Sequence, residues 1–524
     1  MTFARRLRAA AMTGALALVA GAGASAQQPR LGVIDFPTSA TGDAQREFVT
    51  GVLYLHSFEY EKAADAFRRS QALAPRFALA YWGEAMTYTH PVWNEQDTAA
   101  ARAALRRLAP TRAARLALAP NARERGYLEA VEALYGDGSK PARDTAYSAA
   151  MELQAAAYPA DREAQLFYAL SLLGLNQGER DVPTYMRAGA IADEIFAANP
   201  QHPGAAHYVI HAFDDPVHAP LGLRAARAYS TIAPDAAHAQ HMTTHIFLAL
   251  GMWDETVHAN EVATVAMRDT SAHRTRDACG HYGEWLQYGY LQQGRPSAAS
   301  KLLDECRAQA AADGLWGRGS VALMRAVQIV ETRSKDSAAI RLRVDTAGLY
   351  PFALDLIDYG TGYAAVARGD LATARSALQS MHGRAHVVRE GFRGYAEIME
   401  RELLAMVQLS SGQRDVAVRT LRRGVAIEDS LPVDFGPPND VKPPRELLGE
   451  MLTQIGQPDL AVPELEHQLA RTPRRSLTLL ALAQAAAAAG QTGKADAARR
   501  ELARVWHGAE PSVASTLTAG SARE

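Results

Sequence analysis

Residues 44–75 read AQREFVTGVLYLHSFEYEKAADAFRRSQALAP, and the spacing inside this stretch decides the fold. Gly51, Tyr54, Ala63, Phe67 and Pro75 stand at its positions 8, 11, 20, 24 and 32. Far downstream the spacing returns: counted from Lys442, the residues at 7, 8, 20, 24 and 32 are Leu448, Gly449, Ala461, Leu465 and Pro473. A further unit follows at Ser476 without insertion, with Ala483 and Ala495 at positions 8 and 20. Self-similarity at a period of 34 residues marks a stacked-repeat architecture. The spacing has a mechanical cause. Each unit is two antiparallel helices whose small residues at 8 and 20 allow close approach, while the larger residue at 24 fills the interface. Proline near position 32 ends the second helix, because it has no N–H to donate. One such unit cannot bury its apolar face alone, so units stack into a continuous core.

The pattern resembles the tetratricopeptide repeat (TPR) family over most of the chain. The resemblance implies an all-α, right-handed superhelical solenoid of about eleven helix-turn-helix units. Glycine at position 15, where the two helices of a unit meet, sets the register elsewhere. Gly178, Gly251, Gly294, Gly369 and Gly412 place units from residues 164, 237, 280, 355 and 398. Pro200 and Pro234 bound a unit from Pro203 to Ala236. Residues 78–111 and 121–160 read as weaker helix pairs, and 314–350 as an irregular one. The main solenoid is expected over 44–430, a Pro-rich linker over 431–444 and a C-terminal pair over 445–510. An N-terminal linker over 27–43 and a flexible tail over 511–524 complete the expected division.

Residues 1–26 read as a secretory signal peptide: Arg5, Arg6 and Arg8, an apolar run from Ala9 to Ala20, then Ala24-Ser25-Ala26 as cleavage site. The mature chain is therefore expected in the periplasm or secreted. No later apolar run reaches the roughly 18 residues a membrane span needs. The 524 residues carry a formal net charge of -2, which argues against a nucleic-acid partner because such a protein wants a basic face. Two cysteines exclude a disulfide-dense scaffold and a four-thiolate zinc module. Cys279 precedes the first helix of the unit from 280, and Cys306 lies late in the second. Antiparallel packing permits a bond between them and export favours one, while two free buried thiols are the alternative.

Of the 16 His, ten fall between His202 and His281. In TPR proteins, positions 2, 5, 9, 12 and 13 line the concave groove. On this register His207, His211, Asp214 and Asp215 stand at 5, 9, 12 and 13 of the unit from Pro203. His238, His241 and His245 stand at 2, 5 and 9 of the next unit. His56 and His90 both fall at position 13, Trp82 at 5, and His281 and Glu284 at 2 and 5 of the unit from 280. Residues four apart share a helix face, and neighbouring helices pack about 8–10 Å apart. His207, His211, His241 and His245 are thus expected to converge on one centre, with His238 and Asp214 close by.

Imidazole suits Zn, Cu, Ni and Fe. The expected metal ligands are His207, His211, His238, His241 and His245, and the expected further ligand contacts are His56, His90, Trp82, Asp214, His281 and Glu284. A groove for a protein, peptide or small-molecule ligand, or a purely structural His network, are the readings that compete with a divalent transition metal. No HExxH spacing is present. The strings from His207 to Asp215 and from His241 to Asp254 resemble a little-characterised group of exported bacterial TPR proteins with His-rich motifs. In that group the second His pair is often spaced by Pro-Ser, where this chain has Thr243-Thr244. The sequence reading is therefore an exported binding or scaffold protein with a His-rich site on its concave face. The alternative is a metal-dependent enzyme using Asp214, Glu284 or a free His as general base.

Overall fold

The structure, a computed structural model, describes residues 29–175, 180–270, 278–432 and 435–519. The expected signal peptide and the position-15 glycine Gly178 lie outside the described residues. Among the described residues, twenty-five α-helices follow one another, and strand is limited to Thr89–His90 paired with Glu95–Gln96. The architecture is the all-α solenoid of helix hairpins that the 34-residue period implies.

The first hairpin shows how the period works. Helix Gly42–His56 buries Ala44, Phe48, Gly51, Val52 and Leu55 on one face, and Tyr60–Leu73 answers with Ala63, Ala66 and Phe67. A Cβ on Gly51 would stand 2.7 Å from the Phe67 ring, so only glycine lets the residue at position 24 seat against position 8. Gly449 and Leu465 repeat this fit near the other end, where an added Cβ would meet the Leu465 side chain at 2.4 Å. The position-15 glycines Gly251, Gly294, Gly369 and Gly412 all have φ between +65° and +79°, the left-handed conformation that reverses the chain between the two helices.

Departures from the expected division have local causes. Residues 29–41 are extended rather than a free linker: Leu31 and Phe36 are buried, and Val33 N–H donates to the Gln201 carbonyl at 2.9 Å. Gly314, at φ 63° and ψ -136°, breaks Pro296–Glu331 into two helices. Pro511–Ala519 forms a helix where a flexible tail is expected, anchored by Glu510, whose carboxylate accepts from Ser297 N–H at 2.7 Å.

The chain also folds back on itself. The C-terminal hairpins dock against the start of helix Trp253–Thr270 and the end of helix His281–Gln292: Trp253 Nε1–H donates to the Arg474 carbonyl at 3.0 Å, and Trp506 Nε1–H to the Gln292 carbonyl at 3.0 Å. Buried Arg475 reaches Glu331 at 2.6 Å, Glu446 at 2.8 Å and the Tyr288 hydroxyl at 2.7 Å. Cys279 and Cys306 are disulfide-bonded, which ties the start of helix His281–Gln292 to the following helix. One hydrophobic core runs from Leu31 to Ala249 and a second begins at Leu248. The His-rich helices Pro203–Ala212, Ala237–Ala249 and His281–Gln292 meet at that seam.

Candidate metal centre

Six imidazoles gather at the seam in two groups of three. His207, His211 and His238 form the first, and His241, His245 and His281 the second; in each, the candidate ligand atoms all lie within 4.8 Å of one another. The expected single convergence of His207, His211, His241 and His245 is therefore not what forms. Each i,i+4 pair is completed by the His at the start of the next first helix, because that helix stacks alongside and places its position 2 beside positions 5 and 9.

Three of the Nδ1 atoms meet oxygen atoms. His207 Nδ1–H donates to the His56 carbonyl at 2.6 Å, His241 Nδ1–H to Asn260 Oδ1 at 2.7 Å, and His245 Nδ1–H to Asp214 Oδ2 at 2.5 Å. Where such a ring is neutral, Nδ1 carries its proton and Nε2 is left with a lone pair. His207, His211 and His238 are buried, yet the Nε2 of each lacks a hydrogen-bond partner. His241 and His245 bring Nε2 to Nε2 at 3.2 Å. Burial, with the neighbouring imidazoles acting in the same sense, holds His211, His238 and His241 well below the usual His range. Burial likewise takes His207 down to about 3 despite its bond to the His56 carbonyl. These rings are neutral at pH 7, the form that binds a metal.

Aromatic side chains cover both groups. Phe58 lies 4.3 Å from the His207 ring and 5.6 Å from those of His211 and His238. Its φ of 54° falls in the left-handed region that a bulky residue adopts only when its surroundings enforce it. Trp285 lies 5.1, 4.4 and 5.0 Å from His241, His245 and His281. Tyr282 stacks on His241 at 4.3 Å, and its hydroxyl lies 3.1 Å from His238 Nδ1. Phe58, Asn260, Tyr282 and Trp285 did not emerge from the groove register. Asn260 is on a second helix and Phe58 in the turn between helices, where that register assigns no inward positions.

The remaining expected contacts divide. Asp214 is in place as the partner of His245, with Oδ1 buried and unpaired. His281 joins the second group. Glu284 lies outside both groups, in a cavity of about 280 Å³ beside His281 and Trp285, and burial raises its pKa. His56 turns its ring away: Nε2 meets Glu163 at 2.7 Å and Nδ1 the Tyr208 hydroxyl at 2.8 Å. The cause is the close seating of Pro203–Ala212 on this helix end, where a Cβ at Gly204 would fall 2.3 Å from the His56 ring. His90 misses the groove because helix Ala78–Met86 stops short and the chain enters the small strand pair; its ring stacks on Tyr60 at 4.0 Å. Trp82 is fully buried in an aromatic core with Phe36, Phe48, Tyr127 and Phe167, because the 29–41 segment covers its face.

No protein-family model matches the chain, and comparison with curated proteins gave no match. Solved structures similar to it are helical. Human IFIT1, as a dimer with PPP-AAAA, is 13% identical over 88% of this chain and 90% of its own, with a TM-score of 0.36. Yeast Tom70 is 12% identical over 92% and 88%, TM-score 0.28. The P58(IPK) TPR domain is 12% identical over 86% of this chain and 100% of that one, TM-score 0.26. Among the described residues, no helix is long and apolar enough to cross a membrane.

Proposed function

We propose that this protein is an exported TPR-like solenoid that binds a divalent transition metal in the His pocket at the seam of its two cores. One observation carries the reading: His241 and His245 bring Nε2 to Nε2 at 3.2 Å while the Nδ1 of each meets an oxygen acceptor elsewhere. At that separation the two nitrogens need a cation between them, and either a proton on one Nε2 or a metal ion bound to both supplies it. Two nitrogens bound to one tetrahedral ion at roughly 2.0–2.1 Å stand about 3.3 Å apart, which is the spacing found. An all-imidazole donor set backed by a carboxylate and an amide suits Zn, Cu, Ni or Fe rather than Mg or Ca. Elemental analysis of untagged protein tests this, with His207→Ala/His241→Ala as comparison. Less than about 0.2 equivalents of any transition metal after reconstitution, unchanged in the variant, ends the proposal.

A catalytic role is favoured by the ligand count. Three protein ligands per group is the pattern of sites that keep a position open, whereas structural sites are closed by four. The cavity of about 280 Å³ beside His281 offers a small-molecule or peptide ligand a way in. A shift in the spectrum of the Co(II)-loaded protein on adding azide tests for the open position, and an unchanged spectrum argues for a closed site.

Export rests on the signal-like N-terminus and is supported by the Cys279–Cys306 bond, since such bonds persist in oxidising compartments. An intact-mass measurement of protein recovered from the periplasm or medium decides it. A chain still beginning at Met1 and retained in the cytosol removes it.

A further inference from the structure

The geometry points to a dinuclear centre, in which His207, His211 and His238 hold one transition-metal ion and His241, His245 and His281 hold a second. The inference rests on the metal-binding reading above and goes beyond it in number and partition.

Three independent features separate the two halves. The first is ring spacing. Within the first group, His207 lies 4.7 Å from His211 and 5.1 Å from His238. Within the second, the three ring separations are 5.0, 4.5 and 5.7 Å. Across the divide, His211 to His245 is 6.0 Å and His238 to His241 is 6.3 Å. His211 and His238 make no such ring contact with each other, so the partition rests on the ligand atoms, which lie within 4.8 Å of one another inside each group of three.

The second feature is orientation. Each group has its own anchors for Nδ1–H: the His56 carbonyl for the first, and Asn260 with Asp214 for the second. Such outer partners fix the tautomer and aim the free nitrogen. The third is cover. Phe58 contacts all three rings of the first group, and Trp285 all three of the second. The repeat explains the duplication, since each half is positions 5 and 9 of one first helix plus position 2 of the next.

Both halves are all-nitrogen, so both select ions that accept imidazole. Each supplies three ligands and leaves coordination positions for water, hydroxide or a small anion. Asp214 stays outside the ligand set, its Oδ2 accepting from His245 Nδ1–H while its Oδ1 is buried without a hydrogen-bond partner.

The test counts ions. Untagged full-length protein is stripped with chelator, reconstituted with excess Co(II) or Zn(II), desalted and assayed for metal per chain. Two equivalents are expected in the parent, and one in each of His211→Gln and His281→Gln, with roughly half the Co(II) visible absorption retained. His238→Gln and His241→Gln report on the same halves should a first variant misfold, as judged by far-UV circular dichroism of the stripped forms. A parent that saturates at one equivalent overturns the inference while leaving metal binding intact. So does an unchanged count in a folded variant of either half, or loss of both ions from a single substitution. A parent that binds none fails at the earlier step, on metal binding itself.

Discussion

His241 and His245, one helical turn apart on Ala237–Ala249, face each other Nε2 to Nε2 at 3.2 Å, with Nδ1 of the first on the Asn260 amide oxygen and Nδ1 of the second on the Asp214 carboxylate. The stripped protein has at most a proton between these two nitrogens, whereas a loaded protein would gain two coordinate bonds. Chelator treatment is therefore expected to lower the melting temperature reversibly. A ligand at 100 times its Kd stabilises by about 2.7 kcal/mol, so the shift should be several degrees. Calorimetry with EDTA, then with metal restored, measures it; coincident transitions would count against a bound ion.

In the proposed centre Asp214 would act on a metal only through His245, to which it is bonded. Asp214→Asn keeps the size of the side chain and removes its charge, so the fold should persist while affinity at the second group falls. Loss of an outer partner of this kind typically weakens binding about 10–100-fold. Competition with a chromophoric chelator reads the change, and the ion at His207, His211 and His238 should be affected much less. Equal weakening of both ions would place Asp214 in a different role.

The repeat register made most of this legible. Position 8 against position 24 can be read from the spacing of Gly51 and Phe67 alone, and so can the His at 5 and 9. The completing ligands His238 and His281 stand equally plainly in the sequence, at position 2 of successive units. Their grouping follows only when helix stacking offsets neighbouring turns. Other features are long-range and leave no periodic trace. Phe36 arrives from outside the repeats to bury Trp82, Pro203–Ala212 seats on His56, and the early end of helix Ala78–Met86 takes His90 off register.

Two position-15 glycines with similar backbones have different surroundings, which separates conformation from contact. Gly412 has φ +79° with open space where a Cβ would stand, so Gly412→Ala should cost about 1–2 kcal/mol, the left-handed penalty alone. Gly251 has φ +65°, and a Cβ there would fall 2.2 Å from the Pro473 carbonyl. Gly251→Ala should cost more than Gly412→Ala and expose the 473–476 segment to protease, because the C-terminal hairpins must shift. Urea unfolding and limited proteolysis compare the pair. Equal costs would mean that the docking contact at Gly251 yields freely.

That same docking depends on charge. Burial pushes the Glu446 carboxyl up, but Arg475 and Lys442 outweigh it and hold the group at about 2, below its ordinary 4.5. A folded-state pKa below the unfolded one gives stability that is complete above pH 4.5 and lost as pH falls toward 2. Glu331, the other partner of Arg475, leans the opposite way because burial raises it, so total stability does not isolate Glu446. The difference between the parent and Glu446→Gln does. That gap should be widest near pH 6 and narrow steadily below pH 4.5, since the parent carboxylate is then losing the charge that the glutamine never had. Arg475→Met leaves buried Glu331 without its cation and Glu446 with Lys442 alone, and should cost about 3–5 kcal/mol at neutral pH, the scale for breaking a buried pair from one side. Because Arg475 also bonds Tyr288 on the His281–Gln292 helix, the variant should loosen the second His group and lower its metal affinity. A folded Arg475→Met protein with unchanged stability and unchanged metal count would show that the C-terminal hairpins do not brace the site.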